Sequence, residues 1–181
     1  DLDQLPVGEQ TQAAAGGQHR APVEMRASHG EDAAFAVPLR ARGGSDRVGR
    51  LLLQQRVVAV QDSGLILNML TWRTQVNGAV IMGLNGALFE EVIADPATGA
   101  VLNPDMELYK LAGLTDIPKI DVIPYHTDAM KARGVIGIGE PPVIATMAAI
   151  SNAVANAVGV RVPRLPLSPM NVLNALAAAK A

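Results

Sequence analysis

Hydrophobic and polar positions fall into two regimes along the chain. Over residues 1–50, Gln, Ala, Gly and Arg dominate, Gly16-Gly17 and Gly43-Gly44 punctuate, and no hydrophobic period lasts more than a few residues. This stretch reads as an irregular N-terminal arm. Within it Ala33 to Val37 is a candidate strand, which Pro38 stops or confines to a sheet edge. From Leu51 the pattern changes. Leu51-Leu52-Leu53 and Arg56-Val57-Val58-Ala59-Val60 are β-rich apolar runs ending at the turn signal Asp62-Ser63-Gly64, which predicts a buried strand. Thr71 to Val92 predicts a helix, because Val76, Val80, Ile81, Leu84, Leu88 and Val92 recur at spacings of three and four. Gly78, Gly83 and Gly86 weaken that helix by up to about 1 kcal/mol each relative to Ala. Glycines kept at that cost imply that something approaches the helix backbone closely.

Further on, Val92 to Leu102 reads as a hairpin in which Asp95-Pro96 opens the turn, Gly99 supplies a positive φ and Asn103-Pro104 closes it. Ile117 to Tyr125, held between prolines, predicts an edge strand. Gly134 to Glu140 then leads through Pro141-Pro142 into an Ala-rich helix from Val143 to Val158, with Gly159 placed to end it. A proline-spaced tail, Arg161 to Pro169, precedes a last helix from Met170 to Ala179 with Ser168-Pro169 at its cap. Residues 51–181 therefore form the folded domain expected here.

Composition sharpens that reading. With 49% hydrophobic residues but only 3% aromatic, the core is built from small aliphatic side chains, which suits an α+β fold of helices packed on a small mixed sheet. A net charge of −2, with the arginines between Arg40 and Arg50 broken up by Asp46 and glycines, argues against a nucleic-acid footprint. The chain has no cysteine, so no iron–sulfur cluster or thiolate zinc site is expected in it. No apolar run approaches the roughly 20 residues that span a bilayer, so no membrane span is expected. His19 and His29 lie in the arm, and His126 has no second ligand at metal-binding spacing, so no metal ligand is assigned. Trp72 and Phe89, near opposite ends of one predicted helix, read as core or domain-interface groups.

The chemistry concentrates at Gly137-Ile138-Gly139-Glu140-Pro141-Pro142. Glu140 stands at the amino end of a helix, where unpaired N–H groups and the helix dipole favour an ionised carboxylate. Such a group can serve as a capping acid or as a base. Phosphate cradling fits poorly, since a dinucleotide fingerprint needs a glycine where Pro142 stands and Glu140 would repel a pyrophosphate.

The wider pattern decides between these. The run Gly137 to Pro142, followed by Ala148-Ala149-Ile150-Ser151-Asn152-Ala153-Val154 and Gly159-Val160-Arg161, resembles the molybdopterin-binding large subunit of the molybdenum hydroxylases, the xanthine dehydrogenase/aldehyde oxidase family. Arg56 to Gly64, Thr74 to Ala79, Leu102-Asn103-Pro104, Tyr109-Lys110-Leu111 and Asp116-Ile117-Pro118 resemble further blocks of that family, in order, so the resemblance spans residues 56–181. It implies the C-terminal part of the large subunit and an oxidoreductase that hydroxylates an aldehyde or N-heterocycle, with water as the oxygen source. Glu140 would be the base toward the metal-bound hydroxyl. Gln75, Gly137, Ile138 and Gly139 would contact a molybdenum–molybdopterin cofactor shared with upstream segments. The implied partners are the upstream part of the large subunit, an iron–sulfur small subunit, a flavin subunit as a further candidate, and a small-molecule substrate. A cytoplasmic location is expected, or a periplasmic one if the parent protein carries a leader.

The stretch from Val37 to Gln55 departs from the family, because it lacks the alternating strand and hairpin that normally precede the Val-Val-Ala-Val run. With Asp1 in place of a methionine, this makes the chain read as a truncated or frame-disrupted piece of a longer polypeptide, inactive on its own. The alternative is a catalytically inactive relic or small interaction module that kept the fold without the cofactor.

Overall fold

In the computed structural model of the chain the described residues are 25–26, 33–36 and 56–180. Their elements run β1 (Met25–Arg26), β2 (Ala33–Ala36), β3 (Arg56–Gln61), α1 (Met69–Leu88), a 3-10 turn (Leu114–Asp116), β4 (Lys119–Pro124), α2 (Asp128–Ala132), α3 (Pro141–Val158) and α4 (Pro169–Ala178). The four strands form one sheet in the order β1-β2-β3-β4. β2 pairs antiparallel with β1 and with β3, while β3 and β4 run parallel with Val57 opposite Ile120 and Val60 opposite Ile123. The expected α+β arrangement of helices on a small mixed sheet is thus observed. The strand expected in Ala33–Val37 is present over Ala33–Ala36. Val37, the Leu51–Leu53 run, the arginines from Arg40 to Arg50, His19 and His29 lie outside the described residues.

β3 is continuously apolar because both of its faces are covered. Val57 and Ala59 point into a cluster with Trp72, Val76, Val80, Ala149 and Ala153, whereas Val58 and Val60 pack with Ile123 and Tyr125 on the other face. β4 lies at the sheet edge, as expected, and Asp121 on it pairs with both Arg56 and Lys119.

α1 starts two residues before the expected Thr71, because Asn68 caps it by accepting from the Leu70 and Thr71 N–H groups at 3.0 and 3.1 Å. It also ends earlier than expected, at Leu88 rather than Val92. Two N–H groups, of Phe89 and Glu90, both donate to the Asn85 carbonyl at 2.8 and 2.9 Å, which closes the helical ladder. The buried Asn103 side chain then takes over, donating to Glu91 O at 2.6 Å and accepting from Ile93 N at 2.8 Å. Glu90 and Glu91 therefore lie beyond the helix. The hairpin follows as expected, with Ala94 bridged to Val101 and Gly99 at φ 73°. Thr98 and the Ala97 N–H hydrogen-bond to Asp95 in that turn and lower its carboxyl pKa. Phe89 is half-buried at the end of α1, with Lys110 Nζ 5.7 Å from its ring centroid.

α1 and α3 cross closely, and the glycines of α1 show why. A Cβ on Gly83 would lie 2.6 Å from Thr146 Cβ and 2.9 Å from Val143 O, so at that point the helices meet nearly backbone to backbone. A Cβ on Gly86 would lie 3.0 Å from Sδ of the flexible Met147 side chain. At Gly78, by contrast, nothing lies within 4 Å, which corrects the expectation of a close approach there. The same crossing organises a second cluster of Leu84, Ala87, Ile150, Val154, Val162 and Leu167, against which α4 rests through Val172 and Ala175. α3 has 18 residues of mean hydropathy 1.3, long and apolar enough by composition to cross a bilayer, which corrects the expectation that no run approaches that measure. A third of that window is buried in the fold, through Pro142, Thr146, Ala149, Ile150, Ala153 and Val154. α3 begins at Pro141 and ends at Gly159, whose φ of 81° is the left-handed value a helix stop requires. α4 runs Pro169–Ala178, with Ser168 accepting from Asn171 N at 3.3 Å.

Candidate functional site

Residues far apart in sequence meet at an open cleft of about 400 Å³ between the start of α1 and the segment leading into α3. Gln75 lies in the second turn of α1, exposed, and its Nε2 donates to Gly139 O at 2.7 Å. That hydrogen bond joins positions 64 residues apart. Gly137, Ile138 and Gly139 line the cleft beside Gln75, so four of the five sequence-predicted site residues come together there. Gly137 and Gly139 are exposed, while the Ile138 side chain packs back against the first core cluster and anchors the segment. Gly139 has φ 49°, a left-handed backbone that a glycine adopts without strain.

The fifth predicted residue, Glu140, follows directly as the N-cap of α3. It is exposed, its side chain makes no capping hydrogen bond, and it is not among the residues that line the cleft wall. With prolines at the next two positions, the helix offers few N–H groups for a capping side chain to bind. The plain capping role is therefore absent.

The backbone N–H groups of Gly137, Ile138 and Gly139 donate to no acceptor among the described residues. Beside them stands the Gln75 amide, whose Oε1 is left available once Nε2 is engaged. A Cβ on Gly137 would meet nothing within 4 Å, so space is open above this stretch. Unpaired N–H donors, a side-chain amide and open space suit a neutral polar group rich in ring nitrogens and carbonyl oxygens, such as a pterin ring. The donor set contains no cysteine and, among the described residues, no group of three or more His, Cys, Asp or Glu that would hold a metal directly. The residues present therefore fit the organic part of a metal cofactor.

Sequence reading missed part of this wall. Ser63, Leu65, Asn68 and Thr71 also line the cleft. Trp72 contributes as well, yet it is 5% exposed with Nε1 donating to Ser63 Oγ at 2.9 Å, so it is chiefly the core group expected. Asn68 was findable, since an Asn just before a run of helix-forming residues is a helix-start signal. His126 is exposed and belongs to no metal-binding cluster among the described residues.

Comparison with known proteins shows the family and the fold. The molybdopterin cofactor-binding domain family matches residues 53–118. The chain is 43% identical over 115 residues to the xanthine dehydrogenase molybdenum-binding subunit of Escherichia coli O157:H7, covering 63% of this chain and 15% of that protein. It is 41% identical over 127 residues to the aldehyde oxidoreductase molybdenum-binding subunit of Escherichia coli K12, covering 67% of this chain and 17% of that protein. The chain thus spans less than a fifth of the curated relatives it matches. Its fold is similar to part of quinoline 2-oxidoreductase from Pseudomonas putida 86, with a TM-score of 0.67 and 21% identity over 81% of this chain and 19% of that one. Matched in a domain, in sequence and in fold, the chain belongs to the molybdenum hydroxylase family of xanthine dehydrogenase/aldehyde oxidase type, as a piece of the molybdopterin-binding large subunit.

Proposed function

We propose that this chain supplies one wall of the molybdenum–molybdopterin site of an oxidoreductase that hydroxylates an aldehyde or N-heterocycle with water as the oxygen source. The observation that carries the reading is the 2.7 Å hydrogen bond from Gln75 Nε2 to Gly139 O, which unites the two candidate cofactor-contacting segments on one cleft. When bound, the cofactor supplies the two-electron acceptor and activates the oxygen that is transferred. The chain's own residues bind and orient it. Gln75 offers an amide acceptor, and Gly137 to Gly139 offer backbone donors without side chains in the way. Glu140, exposed and uncommitted at the next position, takes up a proton on its carboxylate as the substrate is hydroxylated.

The rest of the site comes from other segments of the large subunit, since cofactor sites are normally assembled where domains meet. Electrons leave through an iron–sulfur subunit, and through a flavin subunit where one is present, in a cytoplasmic complex. Molybdenum and pterin analysis of the purified chain, alone and coexpressed with the remaining large-subunit segments, tests the assignment. The coexpressed protein is expected to carry both. Within it, Glu140→Gln is expected to lower kcat by about 10²–10⁴-fold with molybdenum content unchanged, because size is kept and basicity removed. A folded, coexpressed protein free of molybdenum and pterin would favour the inactive relic instead.

A further inference from the structure

The turn after β3 is bonded directly to the segment that leads to the cofactor-contacting glycines. Leu65 N–H donates to Gly134 O at 2.8 Å and Ile136 N–H donates to Ser63 O at 3.3 Å, an antiparallel bridge centred on Gly64 and Val135. The two backbones touch: a Cβ on Gly64, which sits at φ 61°, would lie 2.2 Å from Gly134 O. One carboxylate serves both sides of this junction. Asp62, with its side chain only 6% exposed, accepts from Gly64 N–H through Oδ1 at 2.8 Å and from Arg133 Nη1 through Oδ2 at 2.9 Å. Arg133 is the residue that closes α2 and immediately precedes Gly134. The carboxylate therefore grips the turn with one oxygen and the beginning of the glycine segment with the other.

We infer that Asp62 and Arg133 form a latch, two positioning residues that set where the segment 134–139 begins and so bring the Gly139 carbonyl to Gln75. The geometry stands by itself; its consequence for the cofactor rests on the function proposed above. The path is short and continuous. The latch fixes Gly134, the two-bond bridge fixes residues 134–136, the Ile138 side chain is held by the first core cluster, and Gly139 then meets Gln75. An ion pair of two exposed groups would contribute little. Here the acidic partner is nearly buried and already shaped by the Gly64 N–H, so losing the guanidinium leaves a carboxylate with one donor in place of two.

The test uses the full chain and three forms: wild type, Arg133→Met and Arg133→Lys. Amide hydrogen exchange at Leu65 and Ile136 reports the bridge, and the Gln75 side-chain NH₂ resonances report whether the Gly139 carbonyl is still in place. Arg133→Met is expected to speed exchange at both amides by about three- to tenfold and to move the Gln75 signal. Arg133→Lys, which keeps a cation, is expected to restore most of both. Unchanged exchange and an unmoved Gln75 signal in Arg133→Met overturn the latch, as does identical behaviour of the Lys and Met forms. The same variants, coexpressed with the remaining large-subunit segments, are then assayed for molybdenum and pterin. Loosened exchange with lowered cofactor content supports the whole inference. Loosened exchange with wild-type content leaves the latch standing and counts against the cofactor role of the glycine segment.

Discussion

At the scale of single residues, two glycines on one helix have opposite meanings. Gly83 sits where α1 meets α3, and a Cβ there would fall 2.6 Å from Thr146 Cβ and 2.9 Å from the Val143 carbonyl. Neither neighbour is the free end of a flexible chain, so the helices must part. Gly83→Ala is expected to destabilise the fold by about 1–3 kcal/mol. Gly78 is exposed with nothing within 4 Å, so Gly78→Ala adds only helix propensity and is expected to stabilise by up to about 1 kcal/mol. Urea unfolding of the two variants decides the matter, and an unchanged or raised midpoint in Gly83→Ala would contradict the close crossing. Sequence could say that helical glycines cost stability; it could not say which of them faced a partner, because that depends on where α3 lies.

At the scale of elements, the boundary of α1 shows how a correct period overran. Val92 continues the spacing of three and four, yet it is 64% exposed and lies beyond the helix. What stops the helix is a local competition for backbone groups. Asn85 O accepts two donors, and the Asn103 side chain then claims both Glu91 O and Ile93 N from the far end of the hairpin. The second of these is a contact across the hairpin, invisible to any window moved along the chain. Asn103→Ala removes two hydrogen bonds at a residue 6% exposed, leaving Glu91 O and Ile93 N without those partners. A loss of about 1–3 kcal/mol is expected, with exchange at Ile93 and Leu102 rising before that of the α1 interior. Equal acceleration throughout α1 would mean that Asn103 supports the whole domain, not the hairpin. Elements whose signals are local were readable from sequence: β3 between its apolar run and the Asp-Ser-Gly turn, and α3 between Pro141 and Gly159. The meeting of Gln75 with Gly139 was not readable from spacing, since 64 residues separate them. The family resemblance put both at the cofactor, and the fold puts them at one cleft.

At the scale of the whole molecule, the described core divides into clusters while its helices do not. Trp72, Val76 and Val80 place the first half of α1 in the cluster under the sheet, and Leu84 and Ala87 place its second half in the other. α3 alternates between them, giving Ala149 and Ala153 to the first and Ile150 and Val154 to the second. Neither cluster can come apart while both helices stay in place, so the domain is expected to unfold as one unit. Ile150 offers the test, because it is fully buried in the second cluster whereas Trp72 reports on the first. Ile150→Ala is expected to cost about 2–5 kcal/mol, a large share of the roughly 5–15 kcal/mol typical of a domain. In a one-unit fold the Trp72 fluorescence transition and the loss of helical circular dichroism move together to lower denaturant in that variant. If Trp72 kept its wild-type midpoint while helicity was lost early, the second cluster would be a separate unit. The cleft, walled by the start of α1 on one side and by residues 135–139 on the other, would then belong to the first cluster's unit.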